Sequence, residues 1–385
     1  MSAAPGPAAR ATVALRPGER RALALWAWTR VAVLVAAGAG AYLTAREDVL
    51  AGPLERWERW DVVHFEAVAR GGYDQEGPTP YAAFFPALPL LLRALGALGL
   101  DLTAAGLLVS LVAGAVAVVA LVRLVEEAGG AHPDGTGERA VLLLLASPCA
   151  VFLAAGYTEA LFLALALPAW LAAHRGRWWA AGLLAGAAGL VRVTGLFLAA
   201  ALVVQWLVQR GRRPPGRADL PDLAALGTAF VPPLLFMAHL RLVTGDWLAW
   251  VHAQQDGWYR RLTDPVEAWR TTWDAAFDDG PRPVAELLTF RAELVAVVVG
   301  VVLLAVLLRR RAWGEATYVG LQVAAFSTST WFFSVPRATL LWWPLWVLLA
   351  AWTLRRPWAL RAYLVLSVPL AVLWVTTFTT GRWAG

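Results

Sequence analysis

Lysine, asparagine and isoleucine are all absent from the 385 residues, and there is one cysteine, Cys149. The three missing residues use AT-rich codons, so their absence points to a GC-rich, bacterial genome. Without asparagine there is no N-glycosylation acceptor, and a lone cysteine beside Pro148 excludes an internal disulfide. Charge is scarce as well. Only 16% of residues are charged, where a soluble domain carries about 25%. Several catalytic signatures are missing too. There is no Gly-rich phosphate loop after a strand, no helical His-Glu-x-x-His, no zinc-type His/Cys spacing and no Ser-His-Asp set. Neither a metal nor a cofactor is expected.

Hydrophobic residues dominate instead, at 59% with mean hydropathy +0.58. Many windows exceed the ~18 apolar residues that mark a bilayer span. They lack the alternation of a barrel, and a span must satisfy its own backbone hydrogen bonds. The expected fold is therefore all-α and polytopic, with membrane lipid as its surroundings. Candidate spans lie near 22–44, 103–125, 139–155, 157–173, 178–192, 195–209, 223–243, 291–308, 313–333, 336–354 and 359–380, eleven in all. The run from Leu23 to Thr44 is too long for a signal-peptide core, so an uncleaved first span is expected. Residues 84–100, interrupted by Pro86, Pro89 and Arg93, are expected on the outer surface.

The net charge of +6 and pI near 10.1 would suit nucleic acid. The arginines, however, sit in short clusters between apolar runs, which is the positive-inside pattern. Nucleic acid is therefore not an expected partner. With the N-terminal tail 1–21 in the cytoplasm, inner loops collect Arg175 and Arg177, Arg210 to Arg217, Arg309 to Arg311, and Arg355, Arg356 and Arg361. The outer loop 45–83 then has four Arg against eight Asp/Glu, and 244–289 has the same tally. A single domain over 1–385 is expected, with large outer loops at 45–102 and 244–290. Tryptophans in the second loop suit short helices at headgroup depth.

This topology brings unusual polar residues to one face. Asp61, His64 and Glu76 lie in the first outer loop, and Tyr157 and Glu159 at the next outer turn. Arg192 follows at the turn after that. Asp246, His252, Gln254 and Trp258 fall in the second large loop, and Arg337 between two late spans. Each has a bland alternative. Asp61 could simply start a helix, the arginines could snorkel, and His64 and His252 could be surface imidazoles. Glu159 in an apolar window is a functional candidate by default.

Taken in order, these segments resemble the PIG-V family of mannosyltransferases and its bacterial relatives. The matching residues are Trp60 and Asp61 with Phe65, then Gly72, Tyr73 and Glu76, then Ala83 to Pro86. Ser147, Pro148 and Phe152 follow, with Tyr157 to Phe162, Arg192 and Gly195. Gly245 and Asp246, Ala253 and Gln254, Trp258, Pro336 and Arg337, and Pro344 and Leu345 complete the series. The resemblance implies a GT-C-type fold in the cell membrane with its site on the extracytoplasmic side. It also implies a polyprenyl-phosphate sugar donor and a lipid-linked or cell-envelope glycan acceptor.

On that footing Asp61 is the expected base, with Arg192 and Arg337 as phosphate partners. Tyr157, Glu159, His64, Glu76, Asp246, His252, Gln254 and Trp258 are expected to bind or orient substrate. A different polyprenyl-linked sugar is one alternative. A lipid-linked glycan transporter or flippase is another, but it would need charge in both halves of the membrane.

Overall fold

The computed structural model describes residues 15–44, 52–75, 81–211, 216–277, 280 and 283–382. Glu76 falls outside them. Among the described residues there are seventeen α-helices and, apart from one isolated bridge between Leu262 and Ser329, no β-pairing. In chain order the helices are α1 (Pro17–Thr44), α2 (Asp61–Gly71), α3 (Ala87–Ala97), α4 (Leu102–Glu127), α5 (Thr136–Leu145), α6 (Thr158–His174), α7 (Trp178–Gly189) and α8 (Thr194–Arg210). They continue as α9 (Leu220–Gly227), α10 (Val231–Thr244), α11 (Ala249–Trp258), α12 (Pro265–Phe277), α13 (Val284–Arg309), α14 (Trp313–Ser327), α15 (Val335–Ala338), α16 (Trp343–Arg355) and α17 (Pro357–Thr379).

The chain is a multi-pass membrane protein. Helices α1, α4, α13 and α17 are each long and apolar enough to cross a bilayer. The stretch through α9 and α10 makes a fifth candidate, bent by 44°. Pro232 and Pro233 stand in the first turn of α10, where missing N–H groups are tolerated but the helix behind cannot run through unbroken. Side chains such as Trp28, Leu34 and Val35 on α1, and Val365 and Leu366 on α17, face outward and are exposed. They form the surface that lipid would cover.

Several expected spans are not single straight helices. Residues 139–155 split into the end of α5 and a 3₁₀ turn, Pro148–Leu153. The run 313–333 stops at Ser327, and 336–354 is divided by a second 3₁₀ turn at Thr339–Leu341. Helices α6 and α8 have 17 residues each, about 25 Å at 1.5 Å per residue, short of the ~30 Å hydrocarbon core. Irregular backbone at that depth is tolerated only inside protein or beside a cavity. Here it is inside: α6 is buried along most of its length. Helix α3 has 11 residues, too short to cross, and packs on α2 and α4.

Small residues bring the short helices close. A Cβ on Gly182 of α7 would stand 1.9 Å from the Ala225 carbonyl oxygen of α9, and one on Gly186 would stand 3.0 Å from Pro232. These two glycines, four apart, are the small-residue seam common in membrane bundles.

Charge separates the two ends of the bundle. At one end Arg16 pairs with Glu126 at 2.8 Å, Arg21 with Glu138 at 2.6 Å, and Arg123 with Glu19 at 2.6 Å. Arg175 pairs with Glu127 there too. Helices α4 and α6 run from this end to the other, where the remaining polar residues gather.

Candidate active site

Asp61 is the first residue of α2, and Trp60 before it has φ 55, a left-handed value unusual for a tryptophan. That turn aims the carboxylate into the bundle instead of toward solvent. The backbone N–H of Asp61 donates to the Tyr157 hydroxyl at 3.2 Å, so the start of α2 is tied to the start of α6. Arg337 on α15 donates from Nη1 to Asp61 Oδ2 at 3.0 Å. Its guanidinium lies 5.4 Å from the ring centres of both Phe152 and Tyr157, a contact worth about 0.5–2 kcal/mol depending on desolvation.

Glu159 sits in the first turn of α6 with no solvent exposure. Its position at a helix N-terminus suits a negative charge. Arg192, at the α7–α8 turn, donates to Glu159 Oε1 and, at 2.7 Å, to the Thr158 hydroxyl. Arg337 Nε lies 3.2 Å from the same Glu159 oxygen. The four side chains therefore alternate in sign, Asp61, Arg337, Glu159, Arg192, and the chain of pairs is neutral as a unit.

Two backbone features hold these arginines. Glu293 of α13, fully buried, accepts the Ser334 N–H at 2.7 Å on one oxygen and the Val335 N–H at 2.8 Å on the other. Ser334 has φ 61, so the carboxylate fixes a left-handed turn at the start of α15, three residues before Arg337. At the α7–α8 turn, a Cβ on Gly195 would come within 2.3 Å of the Gly189 nitrogen. Gly195→Ala should therefore open that turn and displace Arg192. The expected cost is about 1–3 kcal/mol of stability together with a fall in activity, read by tryptophan-fluorescence melting and by turnover.

A cavity of about 620 Å³ opens over this network. Asp61, His64, Arg192 and Arg337 line it, together with Gln254, Trp258 and Arg260 from the second large loop. Its walls are aromatic. His64 lies 5.0 Å from Phe84, tilted 40° to it, and Trp258 lies 5.5 Å from the same ring. The Tyr73 hydroxyl donates to the Phe84 carbonyl at 2.9 Å, which holds that ring in the wall. Burial lowers the His64 pKa below the ordinary imidazole value, and the neighbouring Asp61 charge opposes the shift only in part. The ring is therefore neutral at pH 7. As pH falls below about 6.5, the unfolded chain takes up a proton that the folded chain refuses, so stability should decline. Melting temperature across pH 5–7 should show that decline, flattened in His64→Gln.

The structure brings together Asp61, His64, Tyr157, Glu159, Arg192, Gln254, Trp258 and Arg337. It does not bring in Asp246 or His252. They pair with each other at 2.6 Å, half in solvent, and Asp246 also accepts the Leu248 N–H at 2.8 Å ahead of α11. That backbone bond first, and the imidazole second, lower the Asp246 pKa. The pair belongs to the loop's own structure, and neither residue lines the cavity. Glu293 and Arg260 were not among the expected site residues. Glu293 could have been flagged from its place as an ionisable residue in an apolar run. Among the described residues no three His, Cys, Asp or Glu side chains cluster in a way that would hold a metal.

Residues 41–210 match the family described as Mannosyltransferase (PIG-V). That segment carries Asp61, His64, Tyr157, Glu159 and Arg192, whereas Arg260, Glu293 and Arg337 lie beyond it. The chain is similar to GPI alpha-1,6-mannosyltransferase 2 of Rattus norvegicus, 40% identical over 147 residues, 36% of this chain and 29% of the relative. The Mus musculus protein of the same name is 39% identical over 165 residues, 39% of this chain and 31% of the relative. The Homo sapiens protein is 38% identical over the same length, with the same shares. The matched part of the chain thus spans about a third of the length of these curated relatives. Through residues 41–210 the chain is similar to the PIG-V mannosyltransferases.

Proposed function

We propose that the chain transfers mannose from a polyprenyl-phosphate mannose to a hydroxyl on a lipid-linked or cell-envelope glycan. The observation that carries this reading is the Asp61 carboxylate facing a cavity of about 620 Å³ shared with guanidinium groups and aromatic walls. Arg337 engages only Oδ2 of Asp61. The other oxygen is left to accept the proton of an incoming hydroxyl. As that hydroxyl attacks the anomeric carbon, the bond from carbon to phosphate oxygen breaks, and polyprenyl phosphate departs with the electron pair. Arg192 and Arg337 line the side from which it leaves, and guanidinium suits phosphate oxygens.

Of the two carboxylates in the network, Asp61 is partly open and Glu159 is sealed beneath the arginines. Among the described residues of the network this leaves one usable carboxylate, which supports a single displacement with inversion. The aromatic faces of Phe84 and Trp258 suit the apolar face of a sugar ring.

In this reading the N-terminus is cytoplasmic and the cavity opens on the extracytoplasmic side of the cell membrane. Support comes from the ion-paired, arginine-rich end of the bundle lying opposite the cavity. A lipid-phosphate donor can be presented there, where a nucleotide sugar would not reach. The test uses the purified chain in lipid nanodiscs with radiolabelled polyprenyl-phosphate mannose and a membrane-lipid extract as acceptor. Label should pass to an acceptor with inversion at C1. Transfer from GDP-mannose but not from the lipid phosphate would overturn the reading.

A further inference from the structure

Among the described residues two guanidinium groups that line the cavity lie outside this neutral chain of pairs, the exposed Arg261 and the more enclosed Arg260. Arg192 is held by Glu159, and Arg337 by Asp61 and Glu159. Arg260 also lines the cavity, and among the described residues no carboxylate lies within ion-pair distance of it. Its one side-chain hydrogen bond is a long one, 3.5 Å to the Gln254 amide oxygen, and its guanidinium lies 5.7 Å from the Phe326 ring. Glu293 is close enough to act on it electrostatically, but both Glu293 oxygens already accept backbone N–H groups. The donors of Arg260 therefore point into space without an anionic partner.

Arg260 is also rigidly placed. Tyr259 ends α11 in a left-handed turn at φ 54, and the Arg260 N–H returns to the Gln254 carbonyl at 3.1 Å. On either side, the Thr330 hydroxyl donates to the Tyr259 carbonyl at 2.9 Å and accepts the Arg261 N–H at 3.0 Å. The Leu262–Ser329 bridge closes the same junction. Burial, together with repulsion from Arg337 and Arg192, pulls the Arg260 pKa down to about 10, so it remains charged at pH 7. Three guanidinium groups within mutual electrostatic reach, one without an ion-paired carboxylate, are stabilised by an anion arriving between them.

We propose that Arg260 is the anchor for the donor's phosphate group, with the carboxylate-paired Arg192 and Arg337 flanking it. This rests on the proposed transfer reaction for the identity of the ligand, but the anion site itself stands on the geometry alone. The ligand chemistry is a phosphate ester on a prenyl chain.

The test measures quenching of intrinsic tryptophan fluorescence in phosphatidylcholine nanodiscs, titrated with citronellyl phosphate and with citronellol. Wild type should favour the phosphate over the alcohol. Arg260→Gln should weaken phosphate binding by about 10–100-fold and leave citronellol binding unchanged. Exposed Arg270→Gln should behave as wild type. A preference kept in Arg260→Gln overturns the proposal, and so does equal displacement of the ligand by phosphatidylglycerol mixed into the nanodisc. Should Arg260→Gln not fold, wild type can be probed with phenylglyoxal and peptide mass spectrometry. Citronellyl phosphate, but not citronellol, should protect Arg260, and equal modification with both would overturn the assignment. Failure of mannosyl transfer in wild type, with the phosphate preference still lost in Arg260→Gln, would sink the proposed reaction and leave the anion site standing.

Discussion

On the proposed reaction, Asp61→Asn should reduce mannosyl turnover by about 10²–10⁴-fold, the range lost when a positioned base is removed. The amide keeps the shape of the side chain and one oxygen for the 3.0 Å contact with Arg337. It cannot take a proton from the acceptor at neutral pH. Binding of the donor should change little, because in the proposed reaction Asp61 acts on the acceptor hydroxyl and not on the phosphate. The loss should therefore appear in kcat, with donor KM within a few-fold of wild type. Initial rates against donor concentration at saturating acceptor would resolve the two. A variant that turned over at the wild-type rate would remove Asp61 from the chemistry.

The second large effect concerns stability. Glu159→Ala leaves Arg192 and Arg337 facing one another with their shared carboxylate gone. Breaking a buried pair from one side costs about 3–5 kcal/mol, because the remaining charge is uncompensated. Two guanidinium groups lose a partner here, so the upper part of that range is expected, together with loss of activity. Melting in detergent followed by tryptophan fluorescence should show a drop of several degrees. The double variant Glu159→Ala, Arg192→Ala should recover part of it, since one stranded charge is then removed. A Glu159→Ala protein that melted with wild type would mean the pairs contribute nothing to the fold.

Much of this site is legible in the order of residues alone. Asp61, Glu159, Arg192 and Arg337 are conspicuous because ionisable side chains beside apolar runs are expensive unless they meet one another. Arginine placement assigns all four to the same end of the bundle. Asp246 and His252 look equally conspicuous in sequence. They fail as site residues because a loop carboxylate can be satisfied by a backbone N–H and an imidazole six residues away. Sequence spacing does not distinguish that local closure from convergence on a cavity.

Helix continuity is less legible. Apolar length marks where a chain is hydrophobic, but a run such as 139–155 has the same composition whether it faces lipid or other helices. Only lipid contact forces an unbroken helix. Once α4, α16 and α17 enclose the run, a 3₁₀ turn at Pro148–Leu153 is tolerated, and it places Phe152 beneath Arg337.

The sequence by itself determined that the chain lives in a membrane, that it is helical, and which end of the bundle gathers its carboxylates and arginines. These follow from solvation free energy, which composition and order along the chain already contain. The tertiary structure decided the pairing: which arginine neutralises which carboxylate, and which cation is left over. Arg192, Arg260 and Arg337 look alike as letters. Their difference is a matter of ångströms, because an ion pair depends on separation and burial, and those are set only when distant helices pack.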